Sequence, residues 1–146
     1  PNTPIGQSFL ATNIAYAIAG TALSLSGEYW MGFCIEVAAI ASFNYHYNQL
    51  RESSAGEVES NAVRFALILD YTAAAVSMVS GLIYITTASA LPIPALLLSV
   101  LGVFFLFLSW VYEYGRPYMF WHSLWHVCSA YAGYLIGVSH LESTML

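Results

Sequence analysis

Apolar residues run along this chain in five long stretches, each broken by only a few polar positions. A bilayer core is crossed by about 20 apolar residues in helical form, and the stretches 8–26, 28–50, 62–87, 91–114 and 117–140 are of that length. Punctuation falls between them. Gly27 separates the first two, and Pro92 and Pro94 open the fourth, where the first helical turn has little use for an N–H. Gly115-Arg116-Pro117 divides the fourth from the fifth. Only 51–61, RESSAGEVESN, reads as a real loop, and it closes on Ser60-Asn61, residue types that cap a helix N-terminus. Without an internal repeat or a low-complexity tail, the pattern predicts an all-α fold. The expected architecture is a polytopic transmembrane bundle of five spans, one domain over 1–146.

Composition narrows the class. Hydrophobic residues make up 59% of the chain and charged residues 8%, with a mean hydropathy of +0.67. A soluble domain solvates its surface with roughly a quarter charged residues, which three Arg, no Lys and eight acidic side chains do not supply. A net charge of −5 with no basic run excludes a nucleic-acid footprint. No Gly-rich phosphate loop is present. Cys34 and Cys128 both fall inside apolar stretches and read as small buried hydrophobes, not as a disulfide. The chain starts at Pro1 without Met, so a processed protein or a fragment is expected, and no cleavable signal pattern precedes the first apolar run.

Five spans place alternate loops on opposite sides of a membrane. The N-terminus, the 51–61 loop and the turn near 115 share one side, and Arg51, Arg64 and Arg116 all lie on or just inside it. Excess Arg and Lys mark cytoplasmic segments, so that side is expected to be cytoplasmic. Tyr45, Tyr47, Tyr112, Tyr114, Tyr118 and Trp121 gather near it, and Tyr29 and Trp30 mark the other. These aromatics read as the belts that form at headgroup level.

Ionisable residues inside a bilayer are costly, and each is a functional hypothesis by default. His46 lies four residues before the end of the second predicted helix and Asp70 eight residues into the third. His122 and His126 lie five and nine residues into the last. At 1.5 Å per residue, all four sit roughly 6–14 Å below the same side. His122 and His126 are four apart and project from one helix face, as do Ser42 and His46. Three histidines from two helices form a three-ligand set with an open fourth position, the pattern of a catalytic zinc site. Asp70 is the carboxylate at the right depth to orient a water or take its proton, and Ser42 could donate to a developing oxyanion. A b-type haem between two histidines is the rival cofactor, but the HxxxH pair would leave one imidazole unexplained. His140 sits about 21 Å from His126 by helical rise and reads as an interfacial residue outside the cluster. Glu36 and Asn13 read as interhelical hydrogen-bonding groups. Glu113, near the cytoplasmic side, reads as a solvated helix end or an outer support for the site.

The ordered set Ser42-xxx-His46, Asp70 and His122-xxx-His126 resembles the CREST superfamily of membrane hydrolases, which includes alkaline ceramidases, progestin and adipoQ receptors and myomaker-like proteins. In that superfamily the Ser and His lie on the second helix, the Asp on the third and HxxxH on the last. The strings YHYN at 45–48, LDYTAAAVSM at 69–78 and HSLWHV at 122–127 look most like the myomaker-like branch. The resemblance covers 42–126. It implies zinc held by His46, His122 and His126, a water held by Asp70, and an oxyanion supported by Ser42. The implied reaction is cleavage of an amide or ester bond of a membrane lipid. The superfamily has seven helices where five are predicted here. Two fewer preserve parity, so the motifs still meet on one side, with walls that a second copy of the chain could complete. Ceramidases also carry calcium-binding acidic residues before or at the first helix, and residues 1–8 contain none. A non-enzymatic, receptor-like or membrane-remodelling protein with a structural zinc is the alternative reading.

Overall fold

Each predicted apolar stretch becomes helical in the computed structural model, which describes residues 2–56, 60–88, 90, 92–112 and 115–145. The helices are α1 Pro4–Ala11, α2 Ile14–Leu25, α3 Tyr29–Ala55, α4 Asn61–Thr87, α5 Ile93–Val111 and α6 Arg116–Thr144. Among the described residues there is no strand. Three stretches, Pro4–Leu25, Asn61–Thr87 and Ile93–Val111, are long and apolar enough to cross a membrane. Helices α3 and α6 are as long as α4, but Glu36, Asn44, His46, Asn48 and Gln49 dilute the first, as His122 and His126 do the second.

Several boundaries differ from those predicted, α5 for one spanning Ile93–Val111 within the predicted 91–114. The first stretch starts at Pro4, with Thr3 as N-cap, and breaks at Thr12-Asn13 instead of running unbroken. The Thr12 hydroxyl donates to the Phe9 carbonyl at 2.6 Å and the Asn13 amide to Leu10 at 3.2 Å. The backbone N–H groups of both residues turn to the same two carbonyls, in three-residue steps. Short polar side chains that compete for helix carbonyls loosen the helical ladder in this way. Second, α3 continues five residues past position 50, to Ala55, because Arg-Glu-Ser-Ser-Ala contains no breaker. It stops where Gly56 turns left-handed at φ 69°. Third, α6 continues to Thr144. The expected caps hold: Ser60 accepts from the Val63 N–H, and Pro94 lies in the first turn of α5.

Packing centres on α6, which touches all five other helices, whereas α5 rests chiefly on α6. Helices α2 and α3 approach at Gly20 and Gly32, where a Cβ on Gly20 would come within 2.9 Å of the Gly32 carbonyl. Leu23, Met31, Ile35, Ala130 and Ile136 form the apolar core in the half of the bundle that holds Gly27. In the other half a smaller apolar cluster of Tyr45, Val63 and Ala66 shares the interior with buried polar side chains.

Candidate metal centre

Helix spacing and the choice of packing partner bring the histidines together. His46, from α3, is fully buried, and His122 and His126, one turn apart on α6, are 6% and 1% exposed. One ring nitrogen from each lies within 4.8 Å of the others. Nitrogens bound about 2.0–2.1 Å from a tetrahedral ion are roughly 3.4 Å apart, so modest ring rotation lets all three reach one centre.

Neighbours determine which nitrogens face inward. The Ser109 hydroxyl spends its proton on the Leu106 carbonyl at 2.7 Å, so towards His122 it can only accept, from Nδ1–H at 3.1 Å. Thr12 likewise spends its proton on Phe9 and accepts from His126 Nδ1–H at 2.8 Å. Gln49 donates its amide to the Tyr45 hydroxyl at 2.9 Å and offers Oε1 to His46 Nδ1–H at 3.2 Å. Each imidazole is therefore held as the Nδ1–H tautomer, leaving Nε2 as the nitrogen with a lone pair to offer. His46 Nε2 has no hydrogen-bond partner although it is buried. Three neutral imidazoles, oriented by outer hydrogen bonds and each with a lone pair to offer, are a donor set that fits a divalent metal ion.

Asp70, from α4, is 9% exposed and interacts with the Ser42 side chain of α3. The Ser42 Oγ also lies 3.3 Å from His126 Nε2. All five residues singled out in the sequence thus meet at one place, contributed by α3, α4 and α6. The Tyr16 hydroxyl of α2 donates to Ser129, whose own proton goes to the Trp125 carbonyl, and the Tyr16 ring meets His126 edge-on.

Other expectations fared unevenly. Glu36 accepts from Thr21 across the α2–α3 contact at 2.7 Å, the interhelical bond expected of it. Asn13 does not make one; its amide bonds within its own chain segment and its Oδ1 is buried without a partner. His140 stays outside the cluster, but it is engaged. Its Nδ1 meets Glu28 at 2.7 Å while its ring stacks on Tyr84 at 3.6 Å. Tyr45 and Tyr118, expected in the aromatic belt, turn inward, and Tyr118 stacks on His122 at 5.0 Å. Both cysteines are free thiols. Glu113 and Tyr114 lie outside the described residues.

The sequence reading missed Phe9, Thr12, Gln49 and Ser109. Gln49 had a signal, three residues after His46 on the same helix face. Ser109, fully buried, is one of only two hydroxyls, with Ser99, in an otherwise apolar run. Phe9 and Thr12 carried no signal, because only the break in the first helix turns them onto the histidines. The Phe9 ring lies 4.6 Å from that of His46 and stacks on His126 at 5.7 Å, so it covers the cluster from the α1 side.

Comparison with protein families, with curated proteins and with solved structures returned no match.

Proposed function

We propose that this chain is a zinc-dependent membrane hydrolase that cleaves an amide or ester bond of a lipid. The observation carrying this reading is three buried histidines, with one ring nitrogen of each within 4.8 Å of the others, beside an Asp–Ser pair in a chain with few polar side chains to spend. His46, His122 and His126 would hold the ion, which supplies Lewis acidity and makes water nucleophilic near neutral pH. Asp70 orients the attacking water and takes its proton. Ser42 donates its O–H to the oxyanion that forms on the substrate carbonyl. The ordered motifs support membership in the CREST superfamily. The three apolar spans, with α3 and α6 as long as α4 and packed in the same bundle, support five spans, with the site towards the cytoplasmic leaflet as the arginines suggest.

The experiment is metal analysis and lipid turnover of the detergent-purified protein beside two variants. About one zinc per chain is expected in the wild type, as three imidazoles and an open position provide one site. His122→Ala should lose both zinc and turnover, while Asp70→Asn should keep zinc and lose turnover. If His122→Ala left metal content and turnover intact, the mechanism would be wrong.

A second reading draws on Phe9, which is 2% exposed and packed over the site. A covered site suits a structural zinc that pins α3 to α6 in a receptor-like or membrane-remodelling protein. Under that reading Asp70→Asn retains zinc and leaves the biological function unharmed.

A further inference from the structure

Helix α1 has two working faces. Phe9 and Thr12 turn towards the histidines. Gln7, Leu10 and Ala11, spaced three and four apart, turn the other way and line a groove of about 590 Å³ between the first two helices and α3. Its opposite wall is built by Ile40 and Phe43, with Asn44 and Tyr47 at one end and Glu36 at the other. From Tyr47 to Glu36 along α3 the groove runs roughly 16 Å by helical rise. Ile14 and Ile40 on its walls are 58% and 70% exposed, so its mouth opens on the apolar exterior.

Asn13 also lines the groove. It is 4% exposed, and its Oδ1 lacks a donor. A buried amide carbonyl left unpaired is costly, and hydrocarbon offers it nothing. Asn13 follows Thr12 directly, so it lies at the depth of the His126 imidazole that Thr12 holds.

We infer that this groove binds the hydrocarbon chain of a bilayer amphiphile whose O–H or N–H donates to Asn13 Oδ1 once the side-chain amide rotates into the groove. The chain lies along Leu10, Ile14, Ile40 and Phe43, and Gln7, Asn44 and Tyr47 receive the more polar end. The occupant's polar linkage then sits level with the metal centre, with α1 and α3 between them. Because α1 has eight residues and joins α2 through a loosened turn, it is the partition that moves when the occupant reaches the histidines. This inference rests on the membrane reading above and not on hydrolysis, so it is scored by binding, without turnover.

The test is photolabelling in phosphatidylcholine nanodiscs doped with a long-chain alcohol carrying a diazirine on its chain, or with the methyl ether of the same molecule. Peptides covering 7–17 and 36–47 should be labelled several-fold more by the alcohol than the exposed face of α5 is. The ether should label the groove roughly three- to tenfold less, the worth of one hydrogen bond. Asn13→Leu should bring the alcohol down to the level of the ether. Ala17→Trp should fill the groove and abolish its labelling, with Ala11→Trp at the rim as a second blocking variant should the first fail to fold. Groove labelling no greater than that of α5, or labelling that persists in a folded blocked variant, would overturn the site. Equal labelling by alcohol and ether would overturn the role of Asn13.

Discussion

An imidazole N–H buried without an acceptor costs about 1–3 kcal/mol, and each of the three histidines avoids that cost through a different neighbour. Those neighbours come from two helices and a helix break: Thr12 follows α1, Gln49 is on α3 and Ser109 on α5. None is ionisable, and each acts by having only acceptor capacity left. Removing the Ser109 hydroxyl should therefore loosen the orientation of His122 without removing a ligand. Ser109→Ala is expected to weaken metal binding roughly 10- to 100-fold while helix content stays constant. Competition with a chelator of known affinity, read beside circular dichroism, checks this. Affinity unchanged within twofold would show that Ser109 does not orient the ligand.

At the scale of elements, two devices position the site. The break at Thr12-Asn13 turns α1 so that Phe9 covers the histidines. The second device follows α3 past its apolar part, where the Glu52 carboxylate accepts from the Ser60 hydroxyl at 2.6 Å and the Ser60 N–H at 2.9 Å. This ties the end of α3 to the start of α4. The two bonds favour the ionised form and hold the carboxyl below its ordinary value of 4.5, with Arg51 adding a smaller effect in the same direction. A folded-state pKa below the unfolded one contributes stability above the unfolded pKa, and that contribution is lost as pH falls through the folded one. Glu52→Gln should accordingly lower Tm at neutral pH, and the gap to wild type should close as pH drops below about 4.5. Thermal unfolding of both proteins over that range is the measurement. A gap independent of pH would assign the effect to packing instead.

Taken whole, the molecule is inverted relative to a water-soluble domain. Large side chains such as Phe33, Phe65, Leu97 and Val100 are exposed on its outside, while His46, Ser109 and His126 are among the most buried. Most of its buried polar groups are therefore satisfied internally, as hydrocarbon surroundings require, with His46 Nε2 and Asn13 Oδ1 the exceptions among the described residues. The metal is expected to carry a share of the stability, because it binds the folded arrangement and not the separated helices. A ligand at a thousandfold excess over its Kd adds about 4 kcal/mol. Adding a strong chelator should lower the unfolding temperature of the wild type to that of His46→Ala/His126→Ala, and should leave the double variant unmoved. A wild-type transition insensitive to chelator would count against a metal at this site.

Helix existence, the Ser60 cap, the breaks at Gly27 and Gly115, and the three histidines that cluster were all legible in the sequence. Each depends on information within one helix: apolar run length, the i, i+4 spacing of His122 and His126, and the cost of a polar group at depth. Depth along the axis could be counted, so the shared level of His46, Asp70 and the α6 pair was readable before any packing was known. Rotation about the axis could not, because it is set by the helix on the other side of the contact. The placement of Phe9 over the cluster, the inward turn of Tyr45 and Tyr118, and the Thr12 and Ser109 acceptors were for this reason decided only by tertiary structure. So were the tautomers of His122 and His126, since a hydroxyl that has spent its proton on one carbonyl can only accept from the next group it meets.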